Sequence, residues 1–86
     1  MLKNGRQFVL DALEQAGVVG IRNHPKREAF LAGAGDISFK DLEMDSLARM
    51  ELCIYIEVNA GIEIGPDQLD EAASLSGFLT LIERDQ

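Results

Sequence analysis

Residues 46–59 carry the pattern that most constrains the fold, because their apolar residues recur at helical spacing on two sides of one helix. One stripe consists of Leu52, Cys53, Ile56 and Ala60. The other consists of Leu47, Met50, Ile54 and Val58. A chain of 86 residues has room for one core, which can cover one stripe. The second stripe is therefore either further core or an exposed surface that awaits a partner or a ligand.

Three other segments show helical periodicity. The first covers residues 6–16, with Asn4 as a possible N-cap and Gly17 past its end. A short helix over 66–72 begins at Pro66, and Ser74 can cap a last helix. The apolar residues of that last helix are Leu75, Phe78, Leu79 and Ile82.

The stretch from residue 18 to residue 40 has no lasting period and is predicted to be a long loop. Within it, residues 25–32 could form a short helix with Pro25 at its first position. No segment alternates as a strand would. The predicted fold is all-α: a single domain over residues 1–86, built as a small four-helix bundle with three principal helices and a short third one.

Composition excludes several classes of protein. The lone Cys53 cannot form an intramolecular disulfide and is expected to act as a small buried hydrophobe. His24 has no cysteine or second histidine with which to bind a metal, so no metal site is expected. The chain has no apolar run of about 18 residues and no signal-peptide plan, which predicts a cytoplasmic protein that does not insert into membranes.

Charge is divided unevenly along the chain. Residues 1–40 hold six Lys/Arg and four Asp/Glu, whereas residues 41–86 hold two Lys/Arg and eleven Asp/Glu. The second half therefore has a charge of −9, which would repel nucleic acid and attract a basic protein partner. An acidic surface that is merely solvated is the alternative.

Enzymatic motifs are absent from the sequence. Ser46 is not flanked by the glycines of a G-x-S-x-G elbow, and there is no phosphate-binding glycine loop. The carboxylates of Asp41, Glu43 and Asp45 are more typical of an acidic surface than of acid–base catalysis. No catalytic residue is predicted, and the chain is not expected to be an enzyme.

The segment F-K-D-L-E-M-D-S-L over residues 39–47 resembles acyl carrier proteins, as do the G-I-E-I segment over residues 61–64 and the Ser74-Leu75 pair that follows. The resemblance covers about residues 39–82. It implies that Ser46 is esterified with 4′-phosphopantetheine, which a separate phosphopantetheinyl transferase takes from coenzyme A. The arm would then carry acyl groups as thioesters in fatty-acid, specialised lipid or polyketide synthesis.

The same resemblance assigns a docking face to the second helix, which basic patches on the transferase and on acyl-handling enzymes would recognise. Its acidic members are Asp45, Glu51 and Glu57, and its apolar members are Leu47, Met50 and Ile54. An acyl chain would retreat between the helices near four apolar residues: Leu52, Ile62, Ile64 and Leu69. A monomer is expected.

Departures from the family pattern suggest a specialised member. Glu43 replaces a usual glycine, Ala60 replaces a larger apolar residue, and Gly65 displaces the proline of the I-x-I-P segment. Two alternatives stay open at this point. One is an unmodified helical adaptor in which Ser46 is only an N-cap; the other is a peptidyl or aminoacyl carrier.

Overall fold

A computed structural model of the chain describes residues 4–84. These residues form helices joined by turns. Among them, one isolated antiparallel β-bridge pairs Ser38 with Ser74. The elements are α1 (Gly5–Gln15), a 3₁₀ turn (Val19–Ile21), α2 (Arg27–Leu31), α3 (Phe39–Leu42), α4 (Ser46–Ala60), α5 (Pro66–Ala72) and α6 (Leu75–Arg84). The prediction of an all-α fold is confirmed. In this part of the chain no helix has both the length and the apolar composition needed to cross a bilayer.

Helix α1 begins and ends at the residues that the sequence indicates. The Asn4 side chain accepts a hydrogen bond from the Gln7 N–H at 3.1 Å, and Gly17 adopts a left-handed conformation with φ +83° after the last turn. Val9, Leu10, Ala12 and Leu13 are all fully buried, although Leu10 lies on a different side of the helix from Ala12. The reason is that α1 contacts both α4 and α6, so more than one of its faces is covered.

The long connection between α1 and α4 contains more regular structure than its sequence predicts. Helix α2 starts at Arg27, so the expectation of Pro25 at the first helical position is wrong; Pro25 lies in the preceding turn. Phe30 is fully buried and the Arg6 guanidinium stacks 4.8 Å from its ring centroid, which anchors this connection to α1. Helix α3 was not predicted, because four residues are too few to show a period.

The two apolar stripes of helix α4 differ in burial. Leu52 and Ile56 are fully buried, and Cys53 and Ala60 are half-buried against the core. The exposed fractions of the second stripe are 65% for Leu47, 55% for Met50, 53% for Ile54 and 75% for Val58. The alternative in which both stripes are core is therefore wrong. α4 presents an apolar surface to solvent.

Helices α5 and α6 follow the sequence closely. Pro66 is the first residue of α5, and the Ser74 hydroxyl accepts a hydrogen bond from the Gly77 N–H at 3.2 Å at the start of α6. The four apolar residues predicted for the last helix are all buried. Phe78 packs edge-on against Phe39 with ring centroids 5.8 Å apart, which joins α6 to α3.

Asp36 connects the end of the long loop to the start of α6. Its Oδ1 atom accepts hydrogen bonds from the Ile37 N–H at 2.8 Å and the Ser76 N–H at 2.9 Å. Burial acts to raise the pKa of Asp36, but the hydrogen bonds from Ser76, Ser74 and Ile37 outweigh it, so the pKa lies below its ordinary value. The folded state therefore favours the carboxylate form.

Because this pKa is lowered by folding, the stabilisation is complete above the unfolded-state value of 3.8 and is lost as the pH falls through the folded-state value. We expect Asp36→Asn to lower the free energy of unfolding at pH 7 and to differ less from wild type at pH 3. Urea unfolding of wild type and variant at pH 7 and at pH 3 measures the two differences in free energy. Glu63→Gln, at an exposed carboxylate, is the control. If Asp36→Asn lowers the free energy of unfolding by the same amount at both pH values, this account is contradicted.

Candidate attachment site and docking surface

Asp45, and not Ser46, caps the start of α4. Asp45 has an extended backbone, with φ −84° and ψ 179°, and its Oδ1 atom accepts a hydrogen bond from the Ala48 N–H at 2.8 Å. Ser46 is the first residue inside the helix. The alternative role of Ser46 as N-cap is therefore wrong, since the preceding aspartate already fills that position.

The four serines of the chain differ in what their hydroxyl groups do. The Ser38 hydroxyl caps α3 by accepting from the Lys40 N–H at 3.2 Å, and the Ser74 hydroxyl caps α6. Ser76 is half-buried inside α6, and its backbone N–H donates to the Asp36 Oδ1 atom at 2.9 Å. Ser46 is exposed, and no hydrogen bond within residues 4–84 engages its hydroxyl. Among the four serines it is the exposed one; the other three are half-buried.

The backbone around Ser46 favours a negatively charged group. In the first turn of a helix the leading N–H groups have no partner inside the helix, and the macrodipole places partial positive charge there. Asp45 satisfies the N–H of Ala48, which leaves those of Ser46 and Leu47 pointing out of the helix start. A phosphodiester on the Ser46 oxygen would lie beside these donors.

Glu43 makes the turn between α3 and α4 in a left-handed conformation, with φ 50° and ψ 45°. The sequence indicates that this turn must use a residue with a side chain where the family usually has glycine, and the dihedral angles explain the usual preference. A non-glycine residue in this region costs about 1 kcal/mol because its Cβ crowds the following carbonyl. The strain lies three residues before Ser46.

We therefore expect Glu43→Gly to raise the free energy of unfolding by about 1 kcal/mol, since glycine adopts this conformation without the Cβ penalty. Urea unfolding at neutral pH measures the change. Glu43→Gln is the matched variant, because it removes the charge and keeps the Cβ atom. An equal gain from Glu43→Gln would show that charge repulsion, and not backbone strain, accounts for the effect.

All six residues predicted to form the docking face are exposed: Asp45, Leu47, Met50, Glu51, Ile54 and Glu57. Successive residues of a helix are rotated by 100°, so the five that follow Ser46 fall within one arc of about 120°. The fold brings apolar and acidic side chains together on one face. Arg49 and Ala48 flank this arc and are half-buried.

A groove of about 490 Å³ runs beside Met44 and Arg49, between the start of α4 and the end of α5. An ion pair between the Arg49 guanidinium and the Asp70 carboxylate joins these helices at its edge. Of the four residues near which an acyl chain was expected to retreat, only Leu69 lines this groove. Leu52, Ile62 and Ile64 are packed into the core instead.

The remaining candidates from the sequence have structural roles. His24 is half-buried and its Nδ1 atom accepts from the Lys26 N–H at 3.1 Å; among the described residues no cluster of ligands could hold a metal. Burial raises the pKa of the Cys53 thiol and outweighs the opposing effect of Arg49. The thiol is therefore protonated at neutral pH and weakly nucleophilic.

The sequence model of one family, described as "phosphopantetheine attachment site", matches residues 31–82, which is more than half of the chain. The chain belongs to the phosphopantetheine attachment site family. Members of this family are carrier proteins that hold 4′-phosphopantetheine covalently, and carrier domains of this kind are generally not catalytic. Comparisons with curated proteins and with solved structures return no significant match.

The residues present fit the group that defines this family. All four serines lie within the matched range, and the one at the start of α4 combines an exposed, unengaged hydroxyl with unpaired backbone donors beside it. When bound, the group supplies a thiol on a long arm. The protein contributes an oxygen atom for attachment and a helix start that suits a phosphate.

Proposed function

We propose that the chain is an acyl carrier protein whose phosphopantetheine is attached to Ser46. The observation that supports this assignment is the difference among the serines: the hydroxyls of Ser38 and Ser74 cap helices and Ser76 is half-buried inside α6, whereas Ser46 is exposed at a helix start with its hydroxyl unengaged. A phosphopantetheinyl transferase would join the Ser46 oxygen to the phosphorus of the pantetheine phosphate of coenzyme A. The pyrophosphate P–O bond would break, adenosine 3′,5′-bisphosphate would leave, and the serine proton would pass to a base. The chain itself performs no catalysis in this proposal.

The exposed face of α4 supports a carrier that visits several enzymes. Its acidic side chains would steer basic patches toward Ser46, and its apolar side chains would give each partner a small area to bury. Such a surface speeds encounter without long-lived binding, which suits a protein that must leave each enzyme after a single transfer. We propose that Asp45, Glu51 and Glu57 are the acidic contacts and that Leu47, Met50 and Ile54 are the apolar ones.

The cargo that we propose is an acyl group. The charge of −9 over residues 41–86 favours acyl transfer in fatty-acid, specialised lipid or polyketide synthesis over a peptidyl or aminoacyl carrier. We further propose that residues 1–86 act as one carrier domain and as a monomer. The cytoplasmic location expected from the sequence stays a prediction.

Intact mass measurement tests the attachment. The purified chain is incubated with coenzyme A, Mg²⁺ and a broad-specificity transferase, beside a known carrier protein as the positive control. We expect a gain of one phosphopantetheinyl group, with fragmentation placing it on Ser46. No gain under conditions that modify the control would contradict the carrier assignment and favour an unmodified adaptor that docks through α4.

A further inference from the structure

Val19 is the most exposed of the large apolar side chains in the described part of the chain, with 91% of its surface accessible. It does not lie on α4 but in the 3₁₀ turn that follows α1. Its neighbours fix its position: Val18 and Ile21 are buried in the core, and the Ile21 N–H donates to the Val18 carbonyl at 3.3 Å. Val19 is therefore an apolar side chain held in solvent by a turn whose flanking residues are buried in the core.

A groove of about 200 Å³ separates this turn from the start of α4. Val19 and Gly17 form one wall, and Met44, Asp45 and Ala48 belong to the other. The groove therefore reaches to within one residue of Ser46. Glu43 also lines it, so its rim combines two exposed carboxylates with an exposed apolar side chain.

We infer that Val19 and this groove are a second contact surface for the phosphopantetheinyl transferase, in addition to the face of α4. The occupant is a segment of the transferase that inserts an apolar side chain against Val19 and pairs a basic side chain with Glu43 and Asp45. This inference rests on the proposed attachment at Ser46. It adds a residue from outside α4 to the surface that the transferase recognises.

The position of the groove favours the transferase over the enzymes that handle acyl groups. The transferase must bring coenzyme A to the Ser46 oxygen itself, so it has to cover the start of α4 and the turns around it. Acyl-handling enzymes act at the far end of a long arm and can dock further along the helix. A contact beside Asp45 therefore serves the first reaction more directly than the later ones.

The test compares two exposed valines. Val19→Ser removes the proposed contact, whereas Val58→Ser makes the same change near the C-terminal end of α4, about 18 Å along the helix from Ser46. Initial rates of phosphopantetheine transfer are measured over a range of carrier concentrations. We expect Val19→Ser to lower kcat/KM about tenfold, mainly through a higher KM, and Val58→Ser to change it less than twofold.

The outcomes separate this inference from the assignment of function. If wild type is modified and Val19→Ser reacts within twofold of it, the second contact is wrong while attachment at Ser46 stands. An equal loss for both variants also overturns the inference, because it indicates a general need for apolar surface. If wild type itself is not modified, the proposed function fails first. Matching thermal unfolding of the three proteins checks that the fold is unchanged.

Discussion

Replacing Ser46 with alanine is expected to abolish the phosphopantetheine adduct completely. No other serine combines an exposed, unengaged hydroxyl with the start of a helix, because the hydroxyls of Ser38 and Ser74 cap helices and Ser76 is half-buried inside α6. The fold should be retained, since Asp45 supplies the N-cap and alanine is a good helix former at the first position. Intact mass measurement after incubation with coenzyme A and transferase reads the adduct. Urea unfolding checks that stability changes by less than about 0.5 kcal/mol.

Ser76→Ala is the matched control, because it removes a hydroxyl group from a half-buried position elsewhere in the family-matched range. It should accept the same mass as wild type. An adduct that persists in Ser46→Ala would place the attachment site elsewhere. Loss of the adduct in Ser76→Ala, with the fold intact, would likewise argue against the assignment of Ser46.

Gly77→Ala is expected to destabilise the protein by about 3 kcal/mol, a large part of the stability of a small domain. A Cβ atom at this position would lie 2.3 Å from the Ala72 carbonyl oxygen and 3.2 Å from the carbonyl carbon. These are backbone atoms at the end of α5, so the clash can be relieved only if α5 and α6 move apart. Equilibrium unfolding in urea measures the loss.

The sign of this change is what makes it informative. In a free helix, glycine to alanine would stabilise by about 1 kcal/mol. Gly20→Ala is the control, because a Cβ atom there would meet nothing within 4 Å, and its effect should stay within about 1 kcal/mol of zero. If Gly77→Ala is as stable as wild type, the close packing of α5 against α6 is not as described.

The sequence predicts the long helices well, and the reason is periodic burial. Each of α1, α4 and α6 runs for ten residues or more, so its apolar positions repeat often enough to reveal which side faces the core. The exposed stripe of α4 could also be anticipated, since it is one apolar stripe more than a small core can cover. The assignment of the attachment to Ser46 rests on its neighbours in sequence and on its place at the start of that helix, and it stays a prediction.

Other features depend on contacts that no local pattern carries. Helix α3 has four residues, too few for periodicity, and Phe39 packs it against the core. Helix α2 lies within the short helix that the sequence allowed over residues 25–32, but its start at Arg27 was not predicted. Asp36 meets Ser76 across 40 residues of sequence. The exposure of Val19 could not be predicted from its residue type. Valine is usually buried, and the adjacent Val18 is buried in this protein. Glycine is unfavourable inside a helix, and only the structure shows that Gly77 is a point of close approach between α5 and α6.

Because Asp45 caps α4, folding of the chain does not depend on whether Ser46 is modified. Helix α4 does not depend on the serine hydroxyl for its start, so esterifying that oxygen removes no hydrogen bond that holds the fold. Under the proposed function the chain would therefore reach its native state before modification, and the unmodified and modified forms would share one folded structure. Enzymes that use the loaded carrier would then distinguish the two forms by the arm itself.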